Sequence, residues 1–264
     1  MTVVDEQELG YAAARRARTT LGLGLEAPLA DIVEVVEDLA SVPVTVLGLP
    51  QGIAGLQGGK QDRHFVFLNG TQAVSRQRFT LAHELGHIEM GHGGSVDYED
   101  NVLGTSRRAP REVQADGFAV EFMAPLDGVG TWLSLMHGPA LSLETVVRLA
   151  HHFHVSATAA LYRLQAVWRL SKGKYQPLEA AIGRGEHHQL AKRLGPEPHA
   201  DTLARAFGHL PRLPRETLTH GVNAYERGLL TMEQIAALLQ VDEARVRAEF
   251  DARGAAPPAT ESDY

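Results

Sequence analysis

The chain has 264 residues, no cysteine and a formal net charge of -7. That length holds a catalytic-sized unit plus a smaller helical one. Without thiols there are no disulfides or thiolate metal sites, so any metal must be held by His, Asp or Glu, and the acidic balance argues against a surface that wraps nucleic acid as a whole while leaving local basic patches open. No apolar run is long enough to span a bilayer, and the start, Met1 to Glu6, lacks the basic-then-apolar layout of a signal peptide. A cytoplasmic protein with no membrane partner is expected.

Apolar spacing predicts a helix from about Glu6 to Leu21 and a second from Leu29 to Leu39, with Pro28 suited to a first helical turn. Three short apolar or alternating runs follow, Val42–Val46, Ile53–Leu56 and His64–Leu68, separated by Gly-rich turns; they predict a small antiparallel sheet. The next helix runs from a cap at Ser75 to a stop at Gly91, and its faces are nearly all apolar, which predicts burial. Residues 93 to 109 read as a loop. Pro110 opens a helix from Arg111 to Met123, ended by Pro125.

A Gly-containing irregular stretch then leads to paired helices, Leu143–Phe153 and Ala157–Leu170, joined tightly at His154–Ser156. Lys172–Pro177 reads as a linker, 178 to 250 as further helix, and the last residues as a disordered tail. The expected division is 1–140, 141–175, 176–252 and the tail 253–264.

The segment Thr80-Leu-Ala-His-Glu-Leu-Gly-His87 carries the chemistry. Positions i and i+4 share a helix face, so His83 and His87 can grip one metal ion, and Glu84, about 100° round the helix, can reach a water held by it. Buried polar groups of this kind are costly without partners. Zinc with one position left for water needs a third protein ligand. His92 sits at the wrong offset for the extended metzincin pattern, and Glu89 faces away from His87. Glu112, on the following helix, can face the first from its neighbour, and Asp116 one turn later can accept the other ring N–H of a liganding histidine. The expected set is His83, His87 and Glu112 around Zn2+, with Glu84 as general base. His92 or Tyr98 could stabilise an oxyanion, and nothing in the sequence selects either.

Arg76-Gln-Arg-Phe-Thr-Leu-Ala-His-Glu-Leu-Gly-His87, the strand Phe65–Asn69 before it and Glu112-Val-Gln-Ala-Asp-Gly-Phe-Ala-Val-Glu-Phe-Met-Ala-Pro125 resemble the ImmA/IrrE family of bacterial metallopeptidases over about residues 28 to 170. The resemblance implies a thermolysin-like zinc site on His83, His87 and Glu112 with Glu84 as base, and a protein substrate, an Xre-type helix-turn-helix repressor cleaved to release stress or mobile-element genes. Gly117 and Met123 depart from the bulkier or leucine-rich residues more usual there. The C-terminal region does not match the GAF-like sensory domain of the IrrE branch. The fold class expected is α+β: a mostly helical zincin-like peptidase domain with a small antiparallel sheet, followed by helix-turn-helix-like and further helical segments.

Val146–Leu164 and Thr231–Phe250 have the apolar spacing of helix-turn-helix units, the second opened by a Thr231/Gln234 capping box. Residues 142 to 174 hold five bases, Arg148, Arg163, Arg169, Lys172 and Lys174, against one acid, Glu144, which would suit DNA phosphates; scaffold, or docking of the substrate, is the main reading. His151, His152 and His154 are expected on a solvated face. Substrate pairing is expected along Phe65, Val66, Phe67 and Leu68 as a sheet edge. The alternatives to a zinc endopeptidase are a non-catalytic zinc-binding transcriptional regulator and the toxin of a toxin–antitoxin pair.

Overall fold

In the computed structural model of the chain the described residues are 2–60, 63–98, 109–195, 212–239 and 241–256. Helix α1 (Val3–Thr20) starts in a capping box: Thr2 accepts from the Asp5 N–H, and the Asp5 carboxylate accepts from the Thr2 N–H. Glu6, Gly10, Ala13, Ala14, Ala17 and Arg18 form its buried stripe. Helix α2 is a single turn (Ile32–Glu34) that runs on as a π-helical turn, Val35–Leu39. It begins later than Pro28 because the Asp31 carboxylate accepts from the Glu34 N–H at 3.0 Å and caps it there.

Strands β1 (Val44–Leu47), β2 (Ile53–Lys60), β3 (Arg63–Asn69) and β4 (Ser95–Tyr98) form one sheet in the order β1-β3-β2-β4. β2 pairs antiparallel with β3 and β4, but β1 runs parallel to β3, with Val44 opposite Val66. The antiparallel expectation therefore needs correcting to a mixed sheet: the β2–β3 hairpin folds β3 into the place between β2 and β1. A second correction concerns Phe65, Val66, Phe67 and Leu68. They lie in β3, which is paired with β2 on one side and, from Val66 onward, with β1 on the other, and Val66 and Leu68 are completely buried. Their alternation serves the core, not a partner strand. β4 falls in the span expected to be loop.

Helix α3 (Val74–Glu89) carries the histidine motif and is buried on all sides from Thr80 to His87. Ala73, not Ser75, stands at its N-cap. Helix α4 (Pro110–Met123) follows as expected. The first hydrophobic cluster joins α1, α2, the sheet, α3 and α4 through Ala14, Val36, Val44, Leu68, Leu85, Phe118 and Phe122, among others.

Helix α5 (Leu126–Leu135) occupies the stretch read as irregular, because Val129, Trp132 and Leu133 recur at helical spacing and bury. With α6 (Leu143–Phe153) and α7 (Ala157–Trp168) it forms a second cluster. The expected linker is helix α8 (Lys172–Gly183): Tyr175, Leu178 and Ile182 pack on that cluster, which outweighs the one backbone bond lost at Pro177. After α9 (Glu186–Leu194), α10 (Arg215–Glu226), α11 (Met232–Leu239) and α12 (Glu243–Ala252) bury Ile235, Val246 and Phe250 in a third cluster. The Thr231/Gln234 capping box is formed. Most of the expected tail, 257–264, lies outside the described residues.

Three fully buried arginines tie the elements of the first two clusters together. Arg18 of α1 donates to the carbonyls of Gly24, Ala27 and Phe122. Arg78 of α3 donates to Leu29, Ala30 and to His154 in the α6–α7 turn. Arg163 of α7 donates to the Ala124 carbonyl and to the buried carboxylate of Glu121, which also accepts from Arg15 of α1.

α1 and α4 cross backbone against backbone. A Cβ on Gly10 would lie 2.1 Å from the Gln114 carbonyl oxygen, and one on Gly117 would lie 2.6 Å from that of Gln7. This accounts for the departure at Gly117: a larger residue would push α1 off. Gly10→Ala is expected to destabilise the protein by about 1–3 kcal/mol, read from the denaturant midpoint. Gly173→Ala in α8, where a Cβ meets nothing within 4 Å, is expected to be neutral or to stabilise by up to about 1 kcal/mol.

Candidate metal centre

α3 presents His83 and His87 on one face, and α4 brings Glu112 against both. The two Nε2 atoms are 3.0 Å apart, and Glu112 Oε2 lies 3.4 Å from that of His83 and 3.5 Å from that of His87. Gly86 makes this approach possible, since a Cβ there would stand 2.9 Å from the Phe118 ring of α4. A tetrahedral cation with bonds of about 2.0–2.1 Å holds its donors roughly 3.3 Å apart. The three separations straddle that value, so the residues present fit a metal ion with one position left over.

Asp116, one turn beyond Glu112, places Oδ1 3.1 Å from His83 Nδ1. That contact keeps the hydrogen on Nδ1 and frees Nε2 for the centre. Burial alone would pull His83 down, yet hydrogen bonds to the Asp116 and Glu112 carboxylates hold its pKa up at about 10. Its hydrogen bonds to His83 and His87 keep the Glu112 carboxyl well below the usual carboxylate range. Both shifts have one meaning: the cage stabilises positive charge between its walls.

Glu84 is fully buried. Its Oε2 accepts from Ser95 Oγ at 2.8 Å, while Oε1 has no hydrogen-bond partner among the described residues. Burial pushes its carboxyl up to about 7, against the pull of His83. Ser95 is itself held by β4, which Arg76 of α3 draws in through Asp97 at 3.0 Å. Ser95 went unread in the sequence, because nothing in a four-residue strand after two glycines points to the helix it touches.

His92 is not a third ligand. Its Nδ1 lies 2.9 Å from His87 Nδ1 and its Nε2 2.8 Å from Gln114 Oε1, so both ring nitrogens are engaged away from an oxyanion. Glu89 is exposed. The Tyr98 side chain lies outside the described residues. The structure thus brings together His83, Glu84, His87, Glu112 and Asp116, and leaves Phe65–Leu68 in the core strand. His154, expected on a solvated face, is buried because it closes the α6–α7 turn in the left-handed region with φ 54°.

A carboxylate beside a three-donor cluster, on two helices packed under a small sheet, defines a metallopeptidase type of domain. Residues 38–165 match the family model described as the IrrE N-terminal-like domain of the M78 peptidases, and that match supports the resemblance to the ImmA/IrrE family. The match contains α3 and α4, hence all three donors, and leaves out α1 and everything after α7. No curated protein matches the chain. Among the described residues His83, His87 and Glu112 are the group able to hold a metal ion, and no helix is long and apolar enough to cross a membrane.

Because the Asp116 and Glu112 carboxylates favour a proton on His83, metal uptake must compete with that proton. Apparent affinity is expected to strengthen from about pH 6 to about pH 8, with proton release visible by calorimetry in buffers of different ionisation enthalpy. Affinity independent of pH would contradict this account of the site.

Proposed function

We propose that the protein is a zinc-dependent endopeptidase of the cytoplasm that cuts one specific protein, an Xre-type helix-turn-helix repressor, and so releases stress or mobile-element genes. The observation that carries this reading is the unpartnered, buried Oε1 of Glu84 beside the cluster of His83, His87 and Glu112. A purely structural metal site has no use for such a group. Two imidazoles and one carboxylate, in a chain without cysteine, suit zinc with an open position.

His83, His87 and Glu112 would hold the ion, and Asp116 would keep His83 in the right tautomer. The ion, when bound, supplies Lewis acidity that lowers the pKa of water at the open position towards ~7 and polarises the scissile carbonyl. Glu84 does the proton work. Ser95 pins one of its oxygens, so the other accepts the proton of the attacking water and later delivers it to the leaving nitrogen. A carboxyl raised to about 7 by burial is a stronger base than an exposed one, and it acts only when ionised. A nearby cation favours ionisation, so activity should fall on acidification with an apparent pKa no higher than about 7.

A narrow substrate range fits a protease that must spare its own cell. Among the described residues β4 ends the sheet on the side of Ser95 and Glu84, so the substrate would add as a strand along β4 rather than β3. The division at 1–140, 141–175 and 176–252 belongs to this proposal, the first part catalytic and the others scaffold or docking surface. The regulator reading loses support from the basic helix pair. Arg163 is buried on Glu121 and cannot meet DNA, and the acid Glu144 lies 2.8 Å from Arg148 and offsets part of the remaining charge.

With zinc and an Xre-type repressor as substrate, one discrete cleavage product is expected by mass spectrometry. Glu84→Gln should lower turnover by about 100- to 10,000-fold and still bind zinc, whereas Glu112→Ala and His83→Ala should lose the metal. Cutting by Glu84→Gln at the wild-type rate would refute the mechanism. Val96→Asp in β4 should raise KM several-fold and leave kcat nearly unchanged; an unaltered KM would remove β4 as the docking edge.

A further inference from the structure

A histidine that binds a metal through Nε2 needs its Nδ1–H held by an acceptor, and a carboxylate at the far end of that contact strengthens it. His83 has Asp116 directly. His87 has no carboxylate at Nδ1. Instead its Nδ1 meets His92 Nδ1 at 2.9 Å, His92 Nε2 meets Gln114 Oε1 at 2.8 Å, and the Gln114 amide nitrogen donates to the Glu6 carboxylate on α1. We propose that His92, Gln114 and Glu6 form a positioning relay that fixes the tautomer and orientation of His87, so that α1 completes the metal centre. The proposal rests on the reading of His87 as a ligand through Nε2.

With His92 neutral, the directions of these bonds allow one arrangement. A carboxylate only accepts and an amide nitrogen only donates, so Glu6 fixes which way the Gln114 amide points. The Gln114 oxygen then requires a hydrogen on His92 Nε2, which leaves His92 Nδ1 bare. A bare His92 Nδ1 in turn requires the hydrogen of His87 on Nδ1, and His87 Nε2 is free for the ion. Each atom has one role, and the role of the last is set by the charge of the first.

The relay is well placed for its charge to be felt. The two ends, Glu6 and His87, are 6 % and 1 % exposed, the linking His92 and Gln114 are half-buried, and hydrogen bonds shielded from water in this way polarise one another. The carboxylate arrives there because Gly10, one turn further along α1, lets that helix lie on the Gln114 backbone. Glu6 stands outside the family-matched segment, which starts at residue 38.

The test uses the full chain, zinc in competition with a chromophoric chelator, and the visible spectrum of the cobalt-loaded protein. Glu6→Leu is expected to weaken zinc binding by about tenfold or more and to alter the cobalt bands. Glu6→Gln, which keeps an acceptor but not the charge, should fall between it and wild type and serves alone if Glu6→Leu does not fold. In a His92→Leu background, which cuts the relay between Glu6 and His87, Glu6→Leu should have no further effect on affinity. Two results overturn the relay while the metal centre stands: wild-type affinity and spectrum in both Glu6 variants, or the same loss from Glu6→Leu with and without His92. Should the wild-type chain take up neither zinc nor cobalt while the apo protein is folded, the metal-centre reading itself fails and the relay with it.

Discussion

Two buried imidazole nitrogens 3.0 Å apart, with a carboxylate oxygen 3.4 and 3.5 Å from them, repel or attract according to a single charge placed between them. With nothing there, two nitrogen lone pairs would face each other in a medium that screens poorly. With a proton or a divalent ion, Glu84, Glu112 and Asp116 all gain. The raised His83 and the depressed Glu112 are the two sides of that demand. The fold can be understood as the means of holding two helices close enough to impose it.

That closeness is a matter of missing atoms as much as of contacts. Gly86 lets Phe118 of α4 settle on α3 between the histidines, and Gly10 and Gly117 let α1 settle on α4. Pressed from both sides, α4 can hold Glu112 and Asp116 at fixed distances from α3. Buried arginines then lock the outer elements without apolar bulk, each by donating to carbonyls that would otherwise be unpaired. Arg78 is the most consequential, since it anchors α3 itself to the turn between α6 and α7.

Features that depend on local periodicity were legible in the sequence. The spacing of His83 and His87, the placing of Glu84 between them and the Glu112/Asp116 pair all follow from helix geometry, and their assembly needed only that two successive helices be neighbours. What escaped reading depends on contacts between distant segments. Ser95 and Glu84 meet because β4 joins the far side of β2, and no local pattern in Ser95–Tyr98 encodes that partner. The sequence pattern does not distinguish β3 from an edge strand, because alternation reveals which face is buried, not which strands flank it. Lys172–Pro177 resembles a linker in sequence because its Gly and Pro mask the wider-spaced Tyr175, Leu178 and Ile182.

The basic helix pair shows how a count of charges misleads. Arg163 lies in the interior, stacked over the Tyr11 ring and paired with Glu121, so it works as a rivet between α7, α4 and α1. Glu121 accepts from α1 and α7 at once, through Arg15 and Arg163. The same helix, α1, contributes Ala13, Ala14 and Ala17 to the core that contains Leu81, Ala82 and Leu85 of α3. The family-matched segment is therefore not the physical unit. Cut at residue 38, it would expose the face of α4 that Gly117 marks, leave Glu121 with one arginine in place of two, and remove Glu6 from behind Gln114. The candidate metal centre is built by two helices and packed against a third that the family match leaves out.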